Sequence, residues 1–412
     1  MSLDEALRDD TREIAPELSD LRRRLHRHPE VGLDLPVTQQ TVLSAIDGLG
    51  LDITLGRSVS SITAVLRGGR TGERQGTAPA VLLRGDMDAL PLTEKTGLEF
   101  ASNVDGTMHA CGHDLHTAML VGAARVLSAH RESLAGDVVF MFQPGEEGWD
   151  GAGAMLKEGV LDAAGTRVGS AYGIHVMASK IQPGVFSTRP GTLMAASDGL
   201  FVTVRGAGGH GSAPHQAKDP VAAAVEMVTA LQTMVTRRFD VFDPVVVTVG
   251  SFHAGTRRNI IPDEATFEAT VRSFSPEAQE RLRVETVRLC QSIAAAHGLE
   301  VDARFETEYP MTVNNAEHAA FVAGVVGDVF GTERAEPMVS PITGAEDFSR
   351  VLAEVPGCYS FLGAGPAEGY ATAPDNHSPL ATFDDSVMPD GVLLHAQLAV
   401  RALNRDSAAA AA

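Results

Sequence analysis

Apolar positions in the first part of the chain recur at helical spacing. Leu7, Ile14, Leu18, Leu21 and Leu25 stand three to seven residues apart. The spacing predicts one helix over 3–28, stopped by Pro29, and a second over 38–49, ended by Gly50. Short continuous apolar runs follow at 62–66, 81–83, 138–142 and 171–176. Such runs suit strands buried on both faces. Helical stretches over 116–130 and 155–159 separate them. Strands alternating with helices predict an α/β layer with a mostly parallel sheet.

The pattern changes after about Pro190. Alternating strands are predicted at 199–206, 245–251, 265–272 and 299–309, with amphipathic helices over 220–237 and 276–297. Their order is βαββαβ, the ferredoxin-like plan of a small α+β sandwich. Helix–strand alternation then resumes to the end of the chain. We therefore expect a discontinuous α/β domain over 1–190 and 310–412. A smaller domain over 191–309 is inserted into it. The tail from Ser407 onward is expected to fray.

Composition narrows the function class. A length of 412 residues suits two or three domains, and 44% hydrophobic residues suffice for a core. A net charge of −20 repels phosphate backbones and anionic lipid, so neither nucleic acid nor membrane is an expected partner. No apolar run reaches the ~18 residues of a membrane helix. Three cysteines (Cys111, Cys290, Cys358) form no disulfide framework in so long a chain, and the N-terminus lacks signal-peptide character. A cytoplasmic location is the expectation.

The densest chemistry lies in MHACGHDLH (108–116). Cys111 and His113, two apart, are soft and borderline metal donors, and Asp114 or a neighbour is placed to orient His113. Glu146 and Glu147 directly follow the run 138–142. A strand end of this kind is where parallel sheets bind ligands. Paired carboxylates there can divide the work between cation ligand and general base. His175, within an apolar strand, reads first as a core histidine. His377 sits in a turn. Asp86 and Asp88 close another strand and are suited to ligating, to orienting ligands, or to facing water. The donor set suits one or two divalent ions of the Zn, Mn, Co or Ni kind. In the inserted domain, His210 occupies a glycine-rich loop that lacks a nucleotide-binding pattern. Asn259 and Arg272 are polar groups able to meet a substrate carboxylate.

Nine segments occur together in order: LRRRLHRHPE (21–30), RGDMDALP (84–91), MHACGHDLH (108–116), FQPGEE (142–147), GIHV (173–176), GGHGSAP (208–214), NIIP (259–262), GAEDF (344–348) and NHSP (376–379). In combination they resemble the metal-dependent N-acyl-amino-acid amidohydrolases: hippurate hydrolases, aminoacylase-like enzymes and indoleacetyl-amino-acid hydrolases. The resemblance implies two divalent transition metal ions bridged by Cys111, with His113, Glu147, His175 and His377 completing their shells. It implies Glu146 as general base on a metal-bridging water, and Asp88 as the acid that orients the metal site. The inserted domain would be a lid through which a homodimer or higher homo-oligomer forms, with His210 reaching a partner subunit's active site. Asn259 and Arg272 would contact the N-acyl amino acid substrate. A metallo-carboxypeptidase or dipeptidase built on the same site is the alternative. Two departures from the family pattern stand out: Gly145 replaces a common Ala, and Asn376 replaces a common His.

Overall fold

A computed structural model describes residues 2–70 and 78–411. The chain packs into two compact units, Met1–Leu193 with Val313–Val339 and Asp347–Ala412, and Met194–Thr312 with Ser340–Glu346. The sequence places the boundaries three residues earlier and leaves Ser340–Glu346 in the larger part. That segment joins the smaller unit because the Ala195 N–H bonds the carbonyls of Ile342 (3.1 Å) and Gly344 (3.0 Å).

The larger unit begins with α1 (Leu3–Glu13), α2 (Ala15–Arg27) and α3 (Pro36–Ala45). The single helix expected over 3–28 is thus broken. Ile14 caps both α1 and α2, and Pro16, lacking an N–H, sits in the first turn of α2. The sheet contains β1 (Asp52–Leu55), β2 (Ile62–Leu66), β3 (Ala80–Asp86), β4 (Asp137–Gln143), β5 (Ser170–Met177) and β6 (Phe186–Thr188), with Ala335–Pro337 and Gly357–Gly363. Their spatial order is β1, β2, β4, β3, β5, Gly357–Gly363, β6, Ala335–Pro337. The centre is parallel: β3 runs with β4 and β5, and β5 with Gly357–Gly363. β1 and β2 run antiparallel at one side. It is therefore a mixed α/β sheet. Every residue of β3 and β4 is buried, which explains their unbroken apolar runs. Helix α4 (His113–Ala129) packs on β3 between α2 and the long helix Met388–Ala411. That last helix continues to Ala411, so the expected fraying from Ser407 is not seen as far as the described residues reach.

The smaller unit holds a four-stranded antiparallel sheet in the order Val245–Ala254, Glu264–Ser273, Ala196–Arg205, Glu300–Tyr309. Helices Pro220–Arg238 and Pro276–Ala296 alternate with these strands along the chain. Alternate residues Leu200, Val202 and Val204 point into the core with Phe267, Met227 and Leu282.

Candidate metal centre

Parallel β3, β4 and β5 bring three carboxyl ends side by side, the expected place for a ligand in such a sheet. Asp88 follows β3, Glu146 and Glu147 follow β4, and His175 lies near the end of β5. Cys111 and His113 flank Gly112 at the start of α4. Gly112 has φ +83°, and a Cβ there would lie 2.3 Å from Val176 Cγ2, so only glycine fits the bend. His377 arrives on a loop tied down by its neighbour. The Asn376 amide donates to the carbonyls of Val176 (3.0 Å) and Cys111 (3.3 Å), and its oxygen accepts the Ala178 N–H (2.8 Å). The departure from the family pattern at Asn376 thus still anchors this loop.

The five predicted donors converge. His175 Nε2 is 3.4 Å and His377 Nε2 3.3 Å from Cys111 Sγ. His377 Nε2 is 3.1 Å from Glu147 Oε1, and His113 Nε2 is 3.9 Å from the same oxygen. Two donor groups form, Cys111–His113–His175 and Cys111–Glu147–His377, the atoms of each within 4.8 Å of one another. Cys111 belongs to both. His113 Nε2 is buried without a hydrogen-bond partner, and so is Glu147 Oε1, whose approach to His377 lacks hydrogen-bond alignment. Buried orphan atoms turned toward thiol, imidazole and carboxylate neighbours are what a divalent cation would satisfy. The residues present therefore fit a metal site.

The surroundings aim these donors. The His113 Nδ1–H donates to the Asp88 carbonyl (2.9 Å), leaving Nε2 to the cluster. Asp114, expected from the sequence to orient His113, is instead bound by Arg22 (2.7 Å) and His26 (2.8 Å). It lies in the first turn of α4, on the side packed against α2. The Asp88 carboxylate accepts the backbone N–H groups of Glu146 (3.0 Å) and Glu147 (3.1 Å), so it shapes the glutamate loop. Gly145 sits in that loop at φ +70°, where a Cβ would lie 2.5 Å from Leu33 Cδ2, so the backbone path calls for glycine. Glu146 is buried beside His113 and Glu147, its carboxylate within 4.8 Å of both donors.

Electrostatics set the protonation that a metal must displace. The close approach of Cys111 and Glu147 pushes His377 up to about 10. Burial works against a charged His113, but Asp86 and Asp88 hold it well above the usual histidine value. Burial, aided by His116, keeps His175 well below it. Burial raises Glu147, but His377 and His113 outweigh that and bring it down. To serve as metal ligands, His377 and His113 would have to give up protons.

The smaller unit separates the remaining candidates. His210 pairs with Ile260, and the Gly211 N–H bonds the Asn259 carbonyl (2.9 Å), so His210 and Asn259 are neighbours. Both are exposed. Arg272 lies opposite Ser197 and donates to its hydroxyl (2.7 Å), with Asp198 and Glu308 nearby. The loop of His210 leaves the far end of the same strand, at Arg205. Ser197 and Arg205 are eight residues apart, roughly 26 Å at about 3.3 Å per residue.

Of a buried network beneath the cluster, only Asp86 is a candidate from the sequence. Arg84 pairs with Asp86 and donates to Gln143 Oε1 (3.0 Å), and the Gln143 amide donates to Asp347 (2.8 Å). The available signal was position: Arg84, Asp86 and Asp347 lie inside the RGDMDALP and GAEDF segments.

A profile of "Peptidase family M20/M25/M40" matches residues 82–401. The chain belongs to this family. The resemblance carried by the motifs holds, and the protein is a metal-dependent hydrolase. The chain is similar to thermostable carboxypeptidase 1 of Saccharolobus solfataricus, at 37% identity over 98% of this chain and 100% of the relative. It is equally similar, at 37%, to IAA-amino acid hydrolase ILR1-like 5 of Arabidopsis thaliana, over 93% of this chain and 86% of the relative. Among solved structures in the family, a Bacillus subtilis dinuclear metal-binding peptidase aligns with TM-score 0.79 and 30% identity, covering 95% of this chain and 99% of that one. Among the described residues no helix is long and apolar enough to cross a membrane.

Proposed function

We propose that this member of the family is a dinuclear metal-dependent hydrolase of N-acyl amino acids, releasing a carboxylic acid and a free amino acid. One observation carries the reading: two three-donor groups share Cys111, with buried Glu146 beside them. Cys111, His113 and His175 would hold one divalent ion, and Cys111, Glu147 and His377 the other. When bound, such ions lower the pKa of water and polarise a scissile carbonyl. Zn, Mn, Co and Ni all suit this donor set.

The chain's own groups supply the rest. Glu146 is the general base, taking a proton from the attacking water and passing it to the leaving amine. Asp88 keeps that base in place through two backbone bonds. The smaller unit is a ferredoxin-like lid and the dimerisation surface. The roughly 26 Å between the Arg272 and Arg205 ends of its sheet exceeds a small acylated amino acid. Such a separation disfavours one copy of the unit bringing both His210 and Arg272 to the same substrate. This supports a homodimer in which His210 serves the partner's site, stabilising the oxyanion, with Asn259 and Arg272 as further contacts to the substrate. Three free cysteines support the cytoplasmic placement.

A second reading, a metallo-carboxypeptidase or dipeptidase, is favoured by the carboxypeptidase relative, which is as similar to this chain as the amino-acid-conjugate hydrolase. Hydrolysis rates on N-acyl amino acids and on dipeptides, with Mn, Zn, Co or Ni added in turn, decide between them. Faster turnover of dipeptides than of every acylated amino acid would reject the first reading.

A further inference from the structure

We propose that His116 is a positioning residue that fixes the backbone behind His175 and so decides which nitrogen His175 turns to the metal cluster. The inference rests on reading the cluster as a metal centre. His116 sits one turn into α4, three residues after His113, and is buried. Its Nδ1 is 2.6 Å from Asp86 Oδ1, and its Nε2 accepts the backbone N–H of Val176 at 2.8 Å. An acceptor at Nε2 requires the proton on Nδ1, where Asp86 receives it. Asp86 is itself anchored by Arg84, so the tautomer of His116 is set from below by geometry.

The need for such a residue follows from the sheet. The pairing of β5 with β3 ends at Arg84 and Gly173, three residues before Val176. Beyond that point the β3 side of β5 has no ladder partner, and a buried N–H would be left unpaired at Val176. Helix α4 supplies the partner from a side chain. The bonded peptide is the one that joins His175 to Val176. The next carbonyl, that of Val176, accepts the His175 Nδ1–H at 2.8 Å, which leaves Nε2 facing Cys111 Sγ at 3.4 Å. The His116 and His175 rings also meet edge to face at 4.7 Å. Asp86, His116, Val176 and His175 thus form one chain of contacts ending at a donor atom. An ordinary core histidine would satisfy its nitrogens without ending at a ligand.

Two variants of similar polarity separate positioning from bulk. Gln can place its carbonyl oxygen where Nε2 stands and still accept the Val176 N–H. Asn reaches only the Nδ1 position and leaves that N–H unpaired. Co(II) is titrated into EDTA-stripped full-length wild type, His116→Gln and His116→Asn. Bound ions are counted calorimetrically, the coordination is read from visible absorption, and thermal unfolding is followed on each sample. Wild type and His116→Gln should each bind two ions. His116→Asn should keep the ion of the Cys111–Glu147–His377 group. It should bind the ion of the Cys111–His113–His175 group about 10- to 100-fold more weakly, with its absorption bands altered. Two ions bound normally by His116→Asn would overturn the inference. So would loss of both ions from it, unfolding included, or a His116→Gln variant as defective as His116→Asn. Wild type holding fewer than two ions would overturn the metal-centre reading itself, and this inference with it.

Discussion

Asp88→Asn tests how the larger unit aims its catalytic loop. The Asp88 carboxylate is buried, and each oxygen accepts one backbone N–H, from Glu146 at 3.0 Å and Glu147 at 3.1 Å. In Asn one acceptor becomes an NH2 that faces a donor. One hydrogen bond to a charged acceptor, worth about 1.5–3 kcal/mol, is lost, and a buried N–H goes unpaired. At about 1.4 kcal/mol per factor of ten, that weakens whatever depends on loop geometry by roughly 10- to 150-fold. The Asp88 carbonyl still accepts the His113 Nδ1–H, so the fold and the His113 donor survive. Metal titration into stripped protein and kcat on an acylated amino acid give the two readouts. Both should fall within that range while Tm drops only a few degrees. Metal affinity and kcat within twofold of wild type would show that the Asp88 carboxylate does not aim the glutamate loop.

Further outcomes follow from other contacts. Gly112→Ala places a Cβ at φ +83° and 2.3 Å from Val176 Cγ2; stability should fall by more than the ~1–2 kcal/mol of the backbone term alone, with metal lost, as read by denaturant unfolding and elemental analysis. Glu94 is pushed up by burial but brought down to about 2 by His26, Ser102 and Thr96. Its contribution to stability is therefore full above about pH 4.5 and is lost as pH falls toward 2; the Tm gap between wild type and Glu94→Gln should be widest near pH 6 and close through that window. Mixing inactive His210→Ala and Glu146→Gln chains should restore about a quarter of wild-type activity through hybrid dimers; no recovery after subunit exchange would place His210 in its own chain's site.

Some of this was legible in the sequence, for physical reasons. Runs such as 138–142 declare a strand buried on both faces, and β4 is buried throughout. The insertion showed as a change of period, because a sheet with one covered face alternates. The Ile14 break went unread, since the apolar spacing continues across it while Pro16 removes a donor. Cys111, His113, Glu146 and Glu147 stood out by local spacing. His175 did not: in a largely apolar strand, sequence alone does not show whether a histidine meets a core partner or the donors at neighbouring strand ends. The roles of Asp88, His116 and Asp347 depend on backbone groups and side chains brought from distant segments. The partners of Asp114, Arg22 and His26, likewise come from a distant segment, α2.

The proposed reaction gives Glu146 the proton transfer in a metal-dependent hydrolysis of N-acyl amino acids. Glu146→Gln preserves shape and removes the base. The variant should keep two ions per chain by elemental analysis and bind an acylated amino acid, while kcat falls by about 10²- to 10⁴-fold. A metal-loaded Glu146→Gln variant that turns over the substrate at the wild-type rate would contradict that role.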